Sequence, residues 1–99
     1  MSTSNWYVYM IRTVDGQLYT GITTDIQRRW QEHLSGKGGA RYFRTRKPYL
    51  LALLENHPDR STASKREAAI KKMPKSDKEL LVLSSAVPAT ITHLPVSIS

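Results

Sequence analysis

Five side chains in this sequence have the types and spacing for chemistry beyond packing: Tyr9, Tyr19, Arg29, His33 and Glu67. Tyr7-Val8-Tyr9-Met10-Ile11, a turn around Asp15-Gly16, Leu18-Tyr19-Thr20-Gly21-Ile22 and a helix from Asp25 follow one another, so strand, turn, strand and helix gather the first four in one small region. That set is more polar than a core requires. Glu67 is unusual for its place. Ala63, Glu67 and Ile70 fall at i, i+4 and i+7 of a later helix, which puts an acid on the apolar stripe. The other acids have plainer positions: Asp15 in a turn, Asp25 at a cap, Glu32 on a solvated helix face, Glu55 at a strand end, Asp59 in a helix break, Asp77 in a first helical turn and Glu79 in a capping box. A half-buried carboxylate in so basic a chain either pairs with an arginine or holds a hard cation. On helix phase alone the ion pair leads, because Ala68 and Ala69 could define a different buried face. The alternative is Mg²⁺, which takes one or two carboxylates and completes its shell with water and substrate phosphate.

The elements that must position these residues are readable from pattern. Trp6 to Arg12 and Leu18 to Thr23 are rich in aromatic and β-branched residues, as strands are. A three-residue loop between them, a type I turn with Gly16 left-handed, pairs Thr13 with Gln17. Tyr19 then lies across from Ile11, diagonal to Tyr9 and on the same face; a two-residue loop would put the tyrosines on opposite faces. Asp25 caps a helix to about Leu34, with Ile22, Ile26, Trp30 and Leu34 as its buried stripe and Arg29 and His33 at the edge. Residues 36–48 form a loop with room for one short helical turn. Tyr49 to Glu55 is a continuous apolar run, expected as a central strand covered on both faces. A second helix starts at Ser61 or Thr62 and stops at Pro74, and Ser76 with Glu79 marks a last helix from Asp77 to about Ser84. The tail 86–99 holds two prolines and scattered β-branched residues, and both a strand and an unstructured end stay open. The division expected is a domain over 1–85 and a tail over 86–99.

Ninety-nine residues make one domain that buries about two thirds of its extended surface. Net charge +7 and a pI near 10.0 favour a polyanionic partner. Nucleic acid leads over membrane because no apolar span or long basic amphipathic helix is present. The absence of cysteine excludes a disulfide framework, an iron–sulfur cluster and a cysteine-ligated zinc. Met1 to Asn5 has neither a charged nor an apolar leader region, so the expected location is cytoplasmic. Lys37, Arg41, Arg44, Arg46 and Lys47 crowd the loop, with Tyr42 and Phe43 among them, a composition suited to phosphate contacts and stacking on an unpaired base. Lys71 and Lys72 lead a second basic surface on the helix of Glu67. Such contacts hold a backbone without reading sequence.

Tyr7-Val8-Tyr9, Tyr19-Thr20-Gly21 ten residues on, Arg29 ten further, His33 and the distant Glu67 together resemble the GIY-YIG nuclease domain over roughly Trp6 to Met73. The likeness is to its small stand-alone bacterial members. Tyr7 replaces the first glycine of the first tripeptide and Thr20 the middle residue of the second; Ile22 stands where a polar residue sometimes occurs, and no late phosphate-binding polar residue is evident. The resemblance implies an α+β fold, a three-stranded antiparallel sheet flanked by helices. It also implies DNA phosphodiester cleavage with one divalent metal, Mg²⁺ or Mn²⁺. Glu67 would then hold the metal, Arg29 a phosphate oxygen, and Tyr9 and Tyr19 the attacking water, one phenol as base; His33 would accept or relay the proton. Without the resemblance, Tyr9 and Tyr19 are ordinary cross-strand aromatics, His33 a helix-edge histidine, and Arg29 a surface cation or the partner of Glu67. The expected function is a DNA endonuclease of low sequence specificity acting on single-stranded, nicked or branched DNA, with repair or recombination as its setting. Its rival is a nucleic-acid-binding module of the same fold with weak or partner-dependent catalysis, and RNA stays open as a ligand.

Overall fold

The computed structural model describes residues 5–35 and 46–85. The elements are β1 (Trp6–Thr13), β2 (Leu18–Thr23), α1 (Ile26–Ser35), β3 (Pro48–His57), α2 (Arg60–Lys71) and α3 (Lys75–Ser84). The three strands form one antiparallel sheet in the order β2-β1-β3, the expected α+β architecture. The hairpin closes as the turn residues require. Thr13 N–H donates to the Gln17 carbonyl at 2.9 Å, Gly16 N–H donates to the Thr13 carbonyl at 3.0 Å, and Gly16 has φ +87°, where a side chain is strained. Tyr19 therefore pairs with Ile11 and Gly21 with Tyr9.

Each sheet face is covered. On one, Tyr9, Ile11 and Leu51 pack with Ile26 and Trp30 of α1. On the other, Val8, Met10 and Leu53 pack with Ala63 and Ile70 of α2, joined by Leu18, Ile22, Leu81 and Val82. Leu51 and Leu53 would share a face in a regular strand. The register shift that matches Met10 with Leu53 but Ile11 with Leu51 leaves Ala52 extra, and this bulge sends the two leucines to opposite cores.

Several expectations are corrected. The Tyr49–Glu55 run lies in an edge strand, and β1 is the centre. The run reads as continuous because helices cover both faces, a condition an edge strand can meet equally. Ile22 packs on the α2 side, away from Ile26 and Trp30. The buried face of α1 continues from Trp30 to His33, which is 0 % exposed, while Leu34 is 38 % exposed. Asp59 is the cap of α2, its Oδ1 accepting from Thr62 N–H at 2.8 Å, so that helix begins at Arg60. No capping box forms at α3. The helix starts at Lys75 behind Pro74 without a side-chain cap, and Glu79 instead takes Arg12 in a two-pronged ion pair of 2.6 and 3.0 Å. Glu32 likewise is no idle solvated acid, since it pairs with Arg29 at 2.8 Å. The tail over 86–99 and the loop cations Lys37, Arg41 and Arg44 lie outside the described residues.

Candidate active site

A tyrosine ring at position 9 would ordinarily meet the side chain of its cross-strand partner. Here the partner is Gly21, and a Cβ there would come within 2.6 Å of Tyr9 Oη, 2.8 Å of its Cζ and 3.2 Å of Tyr19 Cε2. The missing side chain is thus the space in which both rings lie. Their centroids are 6.3 Å apart, on one face, as the three-residue loop requires. Gly21 matters because of Tyr9 itself.

The helix then adds its two groups from above the sheet. Asp25 Oδ1 accepts from Arg28 N–H at 3.1 Å and Thr23 Oγ1 accepts from Asp25 N–H at 3.1 Å, which fixes where α1 leaves β2. From that start, Arg29 and His33 stand one turn apart on the same side. The His33 ring lies 5.8 Å from Tyr9 and 5.4 Å from Tyr19, and its Nε2 is 2.7 Å from Tyr9 Oη. Arg29 Nε–H donates to the same oxygen at 3.4 Å, and Arg29 Nη1 pairs with Glu32. Because Tyr9 Oη already accepts from Arg29, the consistent assignment has Tyr9 donating its proton to a neutral His33.

Electrostatics agree with that direction of donation. Burial pushes the Tyr9 phenol up to about 12; the Arg29 hydrogen bond opposes this only in part, and the Tyr19 and Glu67 charges add to it. Burial, then the Arg29 charge, pulls the His33 imidazole down to about 4. Arg29 is held above its usual range, since the Glu32 and Tyr9 hydrogen bonds outweigh the opposing effect of burial. At neutral pH the pair is phenol and neutral imidazole.

Glu67 stands apart by contact. Its carboxylate is half-buried and ion-paired with Lys71 at 3.1 Å, one turn along α2. The expected arginine partner is replaced by this lysine. The tyrosine cluster feels Glu67 through charge, the smallest of five influences on Tyr9. Among the described residues no three His, Cys, Asp or Glu side chains gather as a metal group. A hard ion at Glu67 would therefore draw most of its oxygens from water and phosphate, a donor set that suits Mg²⁺ or Mn²⁺.

Among the described residues the expected cations are dispersed. Arg46 and Lys47 line a shallow hollow of about 270 Å³ with Val14 and Asp15 at the hairpin turn, and Arg46 pairs with Asp15 at 2.6 Å. Lys71 faces Glu67, and Lys72 is exposed at the end of α2. Sequence reasoning missed Glu32 as the residue that steadies Arg29. Its i+3 spacing was a sufficient signal. Among the described residues no helix is long and apolar enough to cross a membrane.

Comparison with known proteins identifies the family. The family model described as "GIY-YIG catalytic domain" matches residues 5–79. The UPF0213 protein DP2720 of Desulfotalea psychrophila is 48% identical over 91% of this chain and 82% of its own length. The UPF0213 protein YhbQ of Escherichia coli O1:K1 is 48% identical over 83% of this chain and 81% of its own. The solution NMR structure of the UPF0213 protein BH0048 from Bacillus halodurans is 37% identical, covers 95% of this chain and 99% of that one, and superposes with a TM-score of 0.56. The chain belongs to the GIY-YIG catalytic domain family and, within it, to the small bacterial UPF0213 proteins.

Proposed function

We propose that this protein is a divalent-metal-dependent endonuclease that hydrolyses DNA phosphodiester bonds with little sequence preference. The observation that carries the reading is the packing of Tyr9 and Tyr19 over Gly21 with His33 and Arg29 on the Tyr9 hydroxyl, and a half-buried acid on α2 whose charge reaches the same phenol. A hydrolytic site needs an oriented water, a cation for the phosphate and help for the leaving oxygen. Glu67 would hold Mg²⁺ or Mn²⁺, which when bound would supply Lewis-acid polarisation of the phosphate.

The chain's own groups divide the remaining work. Tyr9 and His33 are buried, at 1 % and 0 % exposure, whereas Tyr19 and Arg29 are half-buried and reach the surface of the cluster. Burial raises the Tyr9 phenol and lowers the His33 imidazole, so the proton stays on Tyr9 in the resting pair. Tyr9 is for that reason a positioning residue, holding Arg29 and His33, and Tyr19 is the phenol that meets the attacking water. Arg29, braced by Glu32 and Tyr9, presents its planar cation to a phosphate oxygen. Lys47, Lys71 and Lys72, with the basic loop, hold the DNA backbone without reading bases.

The burial of Tyr9 and His33 is the specific observation behind a second reading, a binding module in which both are core residues. Plasmid and single-stranded DNA, incubated with Mg²⁺, Mn²⁺ or chelator, separate the two. The nuclease reading expects metal-dependent cutting that disappears in Arg29→Ala and Glu67→Ala while DNA binding survives. Equal cutting by both variants and wild type would trace the activity to a contaminant and leave the binding module.

A further inference from the structure

A carboxylate set aside for a divalent ion should face its site unencumbered, yet Glu67 Oε2 is 3.1 Å from the Lys71 ammonium. The pair is built in. Glutamate four residues before lysine is the favoured order along a helix, and both side chains lie along one side of α2. The two groups differ in mobility. Lys71 is 54 % exposed on a flexible stem, while Glu67 is 23 % exposed. An ammonium and a hard divalent ion on the same carboxylate repel one another, so the two compete for it.

We propose that Lys71 is an internal placeholder cation: it holds the Glu67 carboxylate until a divalent ion arrives, then swings away and takes a substrate phosphate oxygen. The inference rests on the reading of Glu67 as the metal carboxylate. It makes metal binding weak in the resting protein and stronger when a phosphate is present to receive the displaced ammonium. Two bound partners then favour each other through one side chain. A lysine with a purely structural helix pair would give no such link.

Mn²⁺ binding without DNA, followed by the loss of the free-ion electron paramagnetic resonance signal at low ionic strength, gives a readout independent of activity. Lys71→Gln should bind Mn²⁺ about threefold to tenfold more tightly than wild type, from loss of the ion pair and of the cation–cation repulsion. Lys65→Gln removes the same charge two residues before Glu67, roughly 200° around the helix, and should leave Mn²⁺ affinity unchanged. With Mn²⁺ present, Lys71→Gln should bind a short duplex more weakly than wild type, and in chelator the difference should shrink. Addition of that duplex should tighten Mn²⁺ binding less in Lys71→Gln than in wild type. Matching melting curves establish that the variants are folded. Glu67→Gln should lose Mn²⁺ binding; if it binds as wild type does, the metal reading fails and the placeholder with it. If Glu67→Gln loses the ion but Lys71→Gln binds it no more tightly, the metal reading stands and the placeholder is overturned. Equal tightening by Lys65→Gln would also overturn it, as a general effect of charge.

Discussion

Gly21→Ala is the substitution whose consequence follows most directly from the geometry. The new Cβ would lie 2.6 Å from Tyr9 Oη, so the oxygen must retreat by roughly 0.8 Å to reach an ordinary contact at 3.4 Å. Retreat is costly because Tyr9 is 1 % exposed and its oxygen is held by His33 at 2.7 Å and Arg29 at 3.4 Å. Forcing a methyl into a packed site costs about 1–3 kcal/mol, and losing a buried hydrogen bond costs a similar amount; the overlapping total is about 3 kcal/mol. In a domain of this size that lowers the melting temperature by roughly 15 °C. Gly16→Ala is the comparison. It has φ +87° and nothing within 4 Å, so only backbone strain applies, about 1 kcal/mol or roughly 5 °C. Tyr9→Phe added to Gly21→Ala removes the closest contact and should recover part of the loss. A Gly21→Ala melt within about 3 °C of wild type, or a double variant whose losses simply add, would refute the proposed packing of ring on glycine.

Three further outcomes follow from the same contacts. His33 falls from 6.5 to about 4 on folding, so its stabilisation is complete above pH 6.5 and is lost as pH falls through 6.5 toward 4. Urea titrations should show about 2 kcal/mol lost between pH 7 and pH 5, and His33→Gln should remove that slope. Tyr9 rises from 10.0 to about 12, so its stabilisation is complete below pH 10 and lost as pH climbs toward 12; Tyr9→Phe should flatten the alkaline limb of the same titration. Glu79→Ala should cost about 0.5–1 kcal/mol by urea titration at low salt and less at high salt, because the Arg12 pair is partly exposed.

Local chemistry made the hairpin turn and the start of α1 readable in advance. Gly16 could close only one loop with both tyrosines on a face, and Asp25 could cap only one helix start. Tertiary partners decided the rest. The spacing of Trp30 fits either His33 or Leu34, and the choice went to His33 because the Tyr9 hydroxyl gives it a buried partner. Ser76 and Glu79 spell a capping box, but Arg12, 67 residues away, takes the glutamate in a better-matched pair. An apolar run such as 49–55 reports coverage of faces and carries no signal of a missing edge neighbour. The Lys71 partner of Glu67 was within reach of spacing alone, whereas the charge that Glu67 exerts on Tyr9 depends on how α2 lies across the sheet.

The claim on which the rest depends is that Glu67 and the cluster over Gly21 act together on a phosphodiester. Its most direct test is the single-turnover cleavage rate of plasmid DNA by Glu67→Gln and wild type, prepared identically, with saturating Mn²⁺ and matched DNA occupancy. The prediction is a fall of at least about a hundredfold with DNA affinity unchanged within about twofold. Equal rates would contradict it.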